Sequence, residues 1–270
     1  MMVAYMRALA DAGASHVPEF RDPFAHRFLN EKWKRRLSKI KEKLHAGKQG
    51  MTVAASRVAA DLMALRSATI DAAVRDAVAH DIRQIVILGA GLDARAWRMS
   101  ELAGSRVFEV DHPATQKLKR RHVANFPQPI ADVVYVPVDF EHDSLQNALE
   151  QARHDASLGT CWIWEGVVMY LTRDAMLATL RQLSSRTAKG SVLIINYHTE
   201  LRRGLFGLIL RLLGEPFRTK WSPTELAADL SAVGFRAEED SGVADWANRF
   251  AIGPVEVKAG KSARITVARR

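Results

Sequence analysis

The chain has 270 residues, 48% of them hydrophobic and 26% charged, which suits one large globular α/β domain or two small ones. Its net charge of +9 points at first toward nucleic acid, but residues 27–48 alone hold nine Lys/Arg against two Glu, a net +7. The basicity therefore belongs to one local element, and no nucleic-acid partner is expected.

The opening residues MMVAYMRALADAGA lack the charged-then-apolar layout of a signal peptide. Residues 16–50 read as helical and basic. Within NEKWKRRLSKIKEKL the apolar Trp33, Leu37, Ile40 and Leu44 recur at i, i+4, i+7 and i+11, one stripe of an amphipathic helix, with Gly47 as its stop. The ordinary reading of the surrounding cations is a solvated face; contact with an acidic partner or a membrane surface is the sharper alternative. An Ala-rich helix over 52–79 follows, carrying Arg57 and Arg66.

From there strands and helices alternate. Strands are predicted at 84–88 (QIVIL), 106–110 (RVFEV), 133–138 (VVYVPV), 161–164 (CWIW), 191–197 (SVLIINY), 235–239 (FRAEE) and 263–269 (ARITVAR). Two of the intervening helices have clear starts: Thr172 before RDAMLATLRQL, and the capping box Ser222-Pro223-Thr224-Glu225. Cys161 is the only cysteine, so no internal disulfide forms, and it reads as an inert core residue. GLFGLILRLLG, 204–214, is too short to span a bilayer and contains Arg211, so it reads as a buried or lid helix; no transmembrane segment is expected, and a cytoplasmic location fits. The pattern predicts an α/β fold: a doubly wound, Rossmann-like, seven-stranded sheet, mostly parallel, with the last strand antiparallel. Residues 1–80 would be a helical extension, and 81–270 the Rossmann-like domain with a lid insertion at about 199–222.

In such sheets ligands bind beyond the carboxyl ends of the strands. Gly89, Gly91 and Asp93 follow the first strand, Glu109 and Asp111 end the second, Asp139-Phe140 the third and Glu165-Gly166 the fourth. No Lys or Arg stands among these strand-end residues, although Arg95 and Arg98 follow the glycine loop. GAGLDA formally matches a dinucleotide fingerprint, and Asp111 lies about 20 residues on, as a ribose contact requires. A pyrophosphate, however, prefers bare amides at a helix N-terminus, and Asp93 and Glu165 would repel it. S-adenosylmethionine carries a sulfonium and an ammonium instead of phosphate, so acidic neighbours favour it. Asp111 would take its ribose hydroxyls, and Asp139 with Phe140 its adenine. Asp93 can equally serve only to cap the next helix. No metal is expected.

LGAGLDARAWRM, FEVDHPATQKLK, VDFEHDSL and WEGVVMYLT, in that order, resemble the leucine carboxyl methyltransferase family; RDPFAHRFL and GEPFRTKWSPTELAADLSAVGF resemble its flanking segments. The resemblance covers roughly residues 16–240. It implies a class I methyltransferase fold and methyl transfer from S-adenosylmethionine to an oxygen, often a carboxylate. It further implies that Arg66 holds the cofactor's carboxylate, Gly89 forms the loop, Asp111 binds ribose, Asp139 and Phe140 flank adenine and Glu165 faces the methionine part. The family more often shows Asp-Leu where this chain has Asp139-Phe140. The expected acceptor is a small molecule, with a protein C-terminal carboxylate as the alternative; a carboxylate needs no base, whereas a hydroxyl would use His198 or Tyr170. An NAD-type oxidoreductase and a non-catalytic cofactor-binding module remain the readings of another class.

Overall fold

In the computed structural model of the protein, which describes residues 1–140, 142–200, 218–252 and 262–270, the apolar run Gln84–Leu88 forms β1, buried along its whole length. Its neighbours are β2 (Arg106–Asp111) and β4 (Thr160–Trp164), both parallel to it, with Gln84 opposite Arg106 on one side and Thr160 on the other. The sheet extends through β3 (Asp132–Pro137) beyond β2 and β5 (Val192–His198) beyond β4. β7 (Ala263–Arg269) pairs antiparallel with β5 and with β6 (Arg236–Gly242), giving the order β3-β2-β1-β4-β5-β7-β6.

Because successive strand side chains point to opposite faces, each inner strand feeds two cores. Ile85 and Ile87 join one core with Val107, Ile163 and Ile194, covered by α1 (Met2–Leu9), α3 (Met51–Ala79) and Trp246 of the helix Val243–Arg249. Val86 and Leu88 join the other with Trp162, Trp164 and Tyr197, covered by the helices Leu145–Gln151, Arg173–Ser185 and Pro223–Ala232. Cys161 lies in the first core, where burial pushes its thiol up to about 12.

The local signals for helix ends act as the sequence predicts. Thr172 accepts the Ala175 N–H, and Ser222 and Glu225 form a reciprocal capping box. The basic helix α2 (Glu31–His45) closes at Gly47, whose φ of +62° lets Lys48 N–H reach Lys43 O at 2.9 Å.

Other expectations are corrected. Helix does not run from residue 16: α2 begins at Glu31, where Asn30 accepts the Trp33 N–H, and only a 3-10 turn, Ala25–Phe28, precedes it. Pro18 and Pro23 cannot donate, and Asp22 draws the Phe24 and Ala25 amides into a turn. α1, unassigned from the sequence, is held by burying Ala4, Ala8 and Leu9 beside α3. β6 runs on to Gly242 through polar residues, where Asp240 accepts from Thr266 and Arg264 of the neighbouring β7 and from Tyr197 Oη of β5 beyond it. The stretch 204–214 lies outside the described residues.

Candidate functional site

The carboxyl end of β1 turns at once into the glycine loop. Gly89 and Gly91 have φ of +66° and +49°, the left-handed region that disfavours a side chain. Gly89 is also hemmed in: a Cβ there would lie 2.3 Å from Val167 Cγ2, on the turn that follows β4. The loop is fastened to β2 through Gly89 N–H and Ala90 N–H on Val110 O, and through Gly91 N–H on the Asp111 carboxylate. The other Asp111 oxygen accepts the His112 N–H at 2.7 Å. Among the described residues no Lys or Arg pairs with this half-buried carboxylate. His112 caps the helix Pro113–Val123, and its Nε2 lies 3.7 Å from Asp139, at the end of β3. Phe140, half-buried, packs against the second core beside this turn.

Beneath the loop lies a buried charge network that spacing in the chain does not display. Arg95, 2% exposed, sits at its centre. Its Nη1 engages Asp93, its Nε donates to Asp71 at 2.8 Å and its Nη2 to Glu165 at 2.8 Å. Arg66 donates to the same Glu165 through Nε, with Nη2 also 2.8 Å away. Arg98 clasps Asp71 with both Nη atoms. Arg7 of α1 joins Asp22 at 3.3 Å and also donates to Leu92 O in the glycine loop. Burial by itself would raise the carboxyls of Asp93 and Glu165. The Arg95 guanidinium, with Arg66 beside Glu165, instead holds both below the usual carboxylate range.

This changes the electrostatic picture of the rim. Asp93 and Glu165 are not bare acidic residues: with Asp71 they are matched by Arg66, Arg95 and Arg98. Asp93 also accepts the Arg95 N–H at 2.7 Å, the capping role the sequence allows. Glu109, counted with the rim in the sequence, is instead buried 2.6 Å from Lys119, and burial raises its carboxyl to about 7. Negative charge at the glycine loop therefore resides in Asp111.

Tyr170 lies on the 3-10 turn Val168–Tyr170 after β4, half-buried. His198, at the end of β5, is 7% exposed, with Nδ1 3.3 Å from Ser262 Oγ. The described flank Arg218–Trp221 crosses this end of the sheet: Arg218 N–H donates to Met169 O and Trp221 N–H to His198 O. Asp71, Asp22 and Arg7 escaped the sequence reading, and Arg95 was seen there only as a neighbour of the loop. The available signal was an acid, Asp71, within the apolar Ala-rich helix, where a carboxylate needs a partner.

A seven-stranded sheet in this order, with an antiparallel β7 and a glycine loop beside an acidic β2 terminus, defines the architecture of the class I methyltransferases. The chain belongs to the leucine carboxyl methyltransferase family, whose sequence model matches residues 1–184. It is 35% identical over 181 residues to a Mycolicibacterium paratuberculosis protein provisionally named an S-adenosyl-L-methionine-dependent methyltransferase, covering 67% of this chain and 57% of that one. A protein of the same provisional name from Mycolicibacterium smegmatis is 32% identical over 193 residues, covering 71% and 62%. The chain thus spans about three-fifths of the length of these relatives. A solved structure from Thermobifida fusca YX, provisionally titled a methyltransferase, matches 100% of this chain and 94% of its own with a TM-score of 0.58 at 15% identity, a likeness of fold.

Proposed function

We propose that this protein is an S-adenosylmethionine-dependent methyltransferase that methylates an oxygen, carboxylate or hydroxyl, of a small molecule. The observation that carries the reading is the Asp111 carboxylate, fastened to the glycine loop by Gly91 N–H and paired with no cation among the described residues. That carboxylate suits the ribose hydroxyls of an adenosyl cofactor, and the family match with the relatives' names favours S-adenosylmethionine over a dinucleotide as that cofactor. The fit extends to Gly89, where Val167 leaves no room for a Cβ and the backbone itself forms the wall. The relatives' provisional names agree with it.

Bound S-adenosylmethionine supplies an electrophilic methyl group on its sulfonium. The chain's residues do the holding. Asp111 accepts the ribose hydroxyls, Asp139 the adenine amino group, and the Phe140 ring flanks the base. Arg66 takes the cofactor's carboxylate, and Glu165, fixed from both sides by Arg66 and Arg95, faces the ammonium. Gly91 and Asp93 shape the loop that these groups approach. The residues otherwise orient the acceptor and exclude water, the main source of rate in a displacement of this kind. A carboxylate acceptor reacts as it stands; for a hydroxyl, His198 or Tyr170 receives the proton.

Calorimetric titration tests the reading. S-adenosylmethionine should bind saturably, and Asp111→Asn, which removes charge-assisted hydrogen bonds, should weaken binding by about 10- to 100-fold, with a lowered unfolding midpoint because one of the Gly91 and His112 N–H groups loses its acceptor. Binding of NADH in place of the methyl donor would overturn it. Labelled methyl transfer to a panel of carboxylic acids, phenols and peptides with free C-termini then separates small-molecule from protein acceptors. Cofactor binding without turnover on any of them would leave a non-catalytic binding module.

A further inference from the structure

The most concentrated charge on the molecule lies outside this site. α2 carries seven Lys/Arg against Glu31 and Glu42. Helical periodicity sets Lys32, Arg36, Lys39 and Lys43 in one row along one flank of the buried Leu37 and Ile40, and Lys34, Lys41 and His45 along the other. Among the described residues only Lys34 of these has a carboxylate partner, Glu31 at 2.9 Å; Arg36 lies over the Trp33 ring. Like charges three and four apart on a helix repel, so the rows weaken the fold and no packed neighbour compensates. Such an arrangement is explained by something anionic outside the chain.

Two further features decide what that is. A cavity of about 380 Å³ opens between α2 and the turn Ala25–Phe28, lined by His26, Lys34, Lys41 and His45 together with Leu37 and Glu42. Lys34 and Lys41, with the ring N–H groups of His26 and His45 beside them, supply donors that suit a phosphate group. Exposed apolar side chains accompany the cations. Met51, 89% exposed, follows the end of α2. Met1, Met2 and Val3 stand exposed at the start of α1, which packs beside α2 with Tyr5 and Trp33 4.6 Å apart. Phosphate contacts to a polyanion run through the charges alone and leave the exposed Met and Val side chains without a role. A lipid surface takes both, with cations against the headgroups and short apolar side chains at the acyl boundary.

We propose that α2, the turn Ala25–Phe28 and Met51 form a docking surface for an anionic phospholipid bilayer, with headgroup phosphate seated among His26, Lys34, Lys41 and His45. This surface is independent of the methyl-transfer reading.

The test uses the full chain in co-sedimentation with vesicles of phosphatidylcholine, with and without phosphatidylglycerol. The protein should pellet only with phosphatidylglycerol and be released by added salt. Each basic residue near such a surface is worth about fivefold in partitioning, so Lys32→Ala/Lys39→Ala/Lys41→Ala should weaken it on the order of a hundredfold. All three side chains are exposed, and the variant should melt at or above the wild-type temperature. Met51→Ser should weaken vesicle binding without altering its salt dependence. Three results each overturn the proposal: no dependence on phosphatidylglycerol, vesicle binding that survives the triple substitution, or RNA or polyglutamate binding as tightly at the same salt with no effect of Met51→Ser.

Discussion

Gly89→Ala tests how tightly the glycine loop is built against the turn after β4. Two separable costs act there. A φ of +66° places any side chain in the left-handed region, at about 1–2 kcal/mol. The new Cβ also meets Val167 Cγ2 at 2.3 Å. Val is stiff about χ1, so Val167 must leave its rotamer or the turn must shift, an overpacking cost of about 1–3 kcal/mol. The sum is about 2–5 kcal/mol. Gly91→Ala is the internal control: its φ is +49°, but the nearest heavy atom to its Cβ is Gly89 O at 3.8 Å, so only the conformational cost of about 1–2 kcal/mol applies. Val167→Ala removes Cγ2 and leaves its own Cβ at 3.4 Å, an ordinary contact. In the Val167→Ala background Gly89→Ala should then cost no more than Gly91→Ala. Urea unfolding of the four variants, followed by tryptophan fluorescence, yields the double-mutant cycle. Equal destabilisation at positions 89 and 91, or no coupling between 89 and 167, would refute the argument.

The charge network makes two further predictions. Arg95→Met leaves Asp71 its Arg98 and Glu165 its Arg66, but strips Asp93 of its guanidinium partner; the cost at neutral pH should be about 3–5 kcal/mol, partly recovered by adding Asp93→Asn. The sign of its pH dependence follows. In the wild type the lowered Asp93 carboxyl contributes stability above its unfolded pKa of about 3.9, lost as pH falls through the folded value. Without Arg95 only the more distant Arg7, Lys119 and Arg98 oppose burial, so the deficit should shrink between pH 7 and 5 in urea titrations, and an equal deficit at both pH values would contradict this. Glu109 behaves oppositely. Its folded value of about 7 lies above its unfolded one, so its contribution is fully present below about pH 4.3 and is lost as pH rises through 7, by up to about 3 kcal/mol. Replacing the pair, Glu109→Gln/Lys119→Met, should flatten the stability profile across that window, and an unaltered slope would place the ionisation elsewhere.

Much of the fold was legible because it rests on short-range rules. Short strand-forming runs between helical stretches located all seven strands, and cap chemistry located the helix starts at Thr172 and Ser222 and the stop at Gly47, since each is an interaction between residues a few positions apart. Where the local signal was weak, it failed. Residues 16–24 contain two prolines, which cannot donate within a helix, and α1 is a short segment whose place is fixed by burial against α3.

The sequence by itself determined the glycine loop, the acids at the strand ends and the family motifs that contain them. Only the tertiary structure decided what those acids are. Arg66 and Glu165 stand 99 residues apart in the chain and Arg7 and Leu92 stand 85 apart, yet both pairs are in contact. The rim that looks uniformly acidic in sequence is largely neutralised by Arg66, Arg95 and Lys119, leaving Asp111 to carry the charge beside the loop. The reason is physical: the interaction of two charges depends on their separation and on the solvent excluded between them, and sequence spacing sets neither.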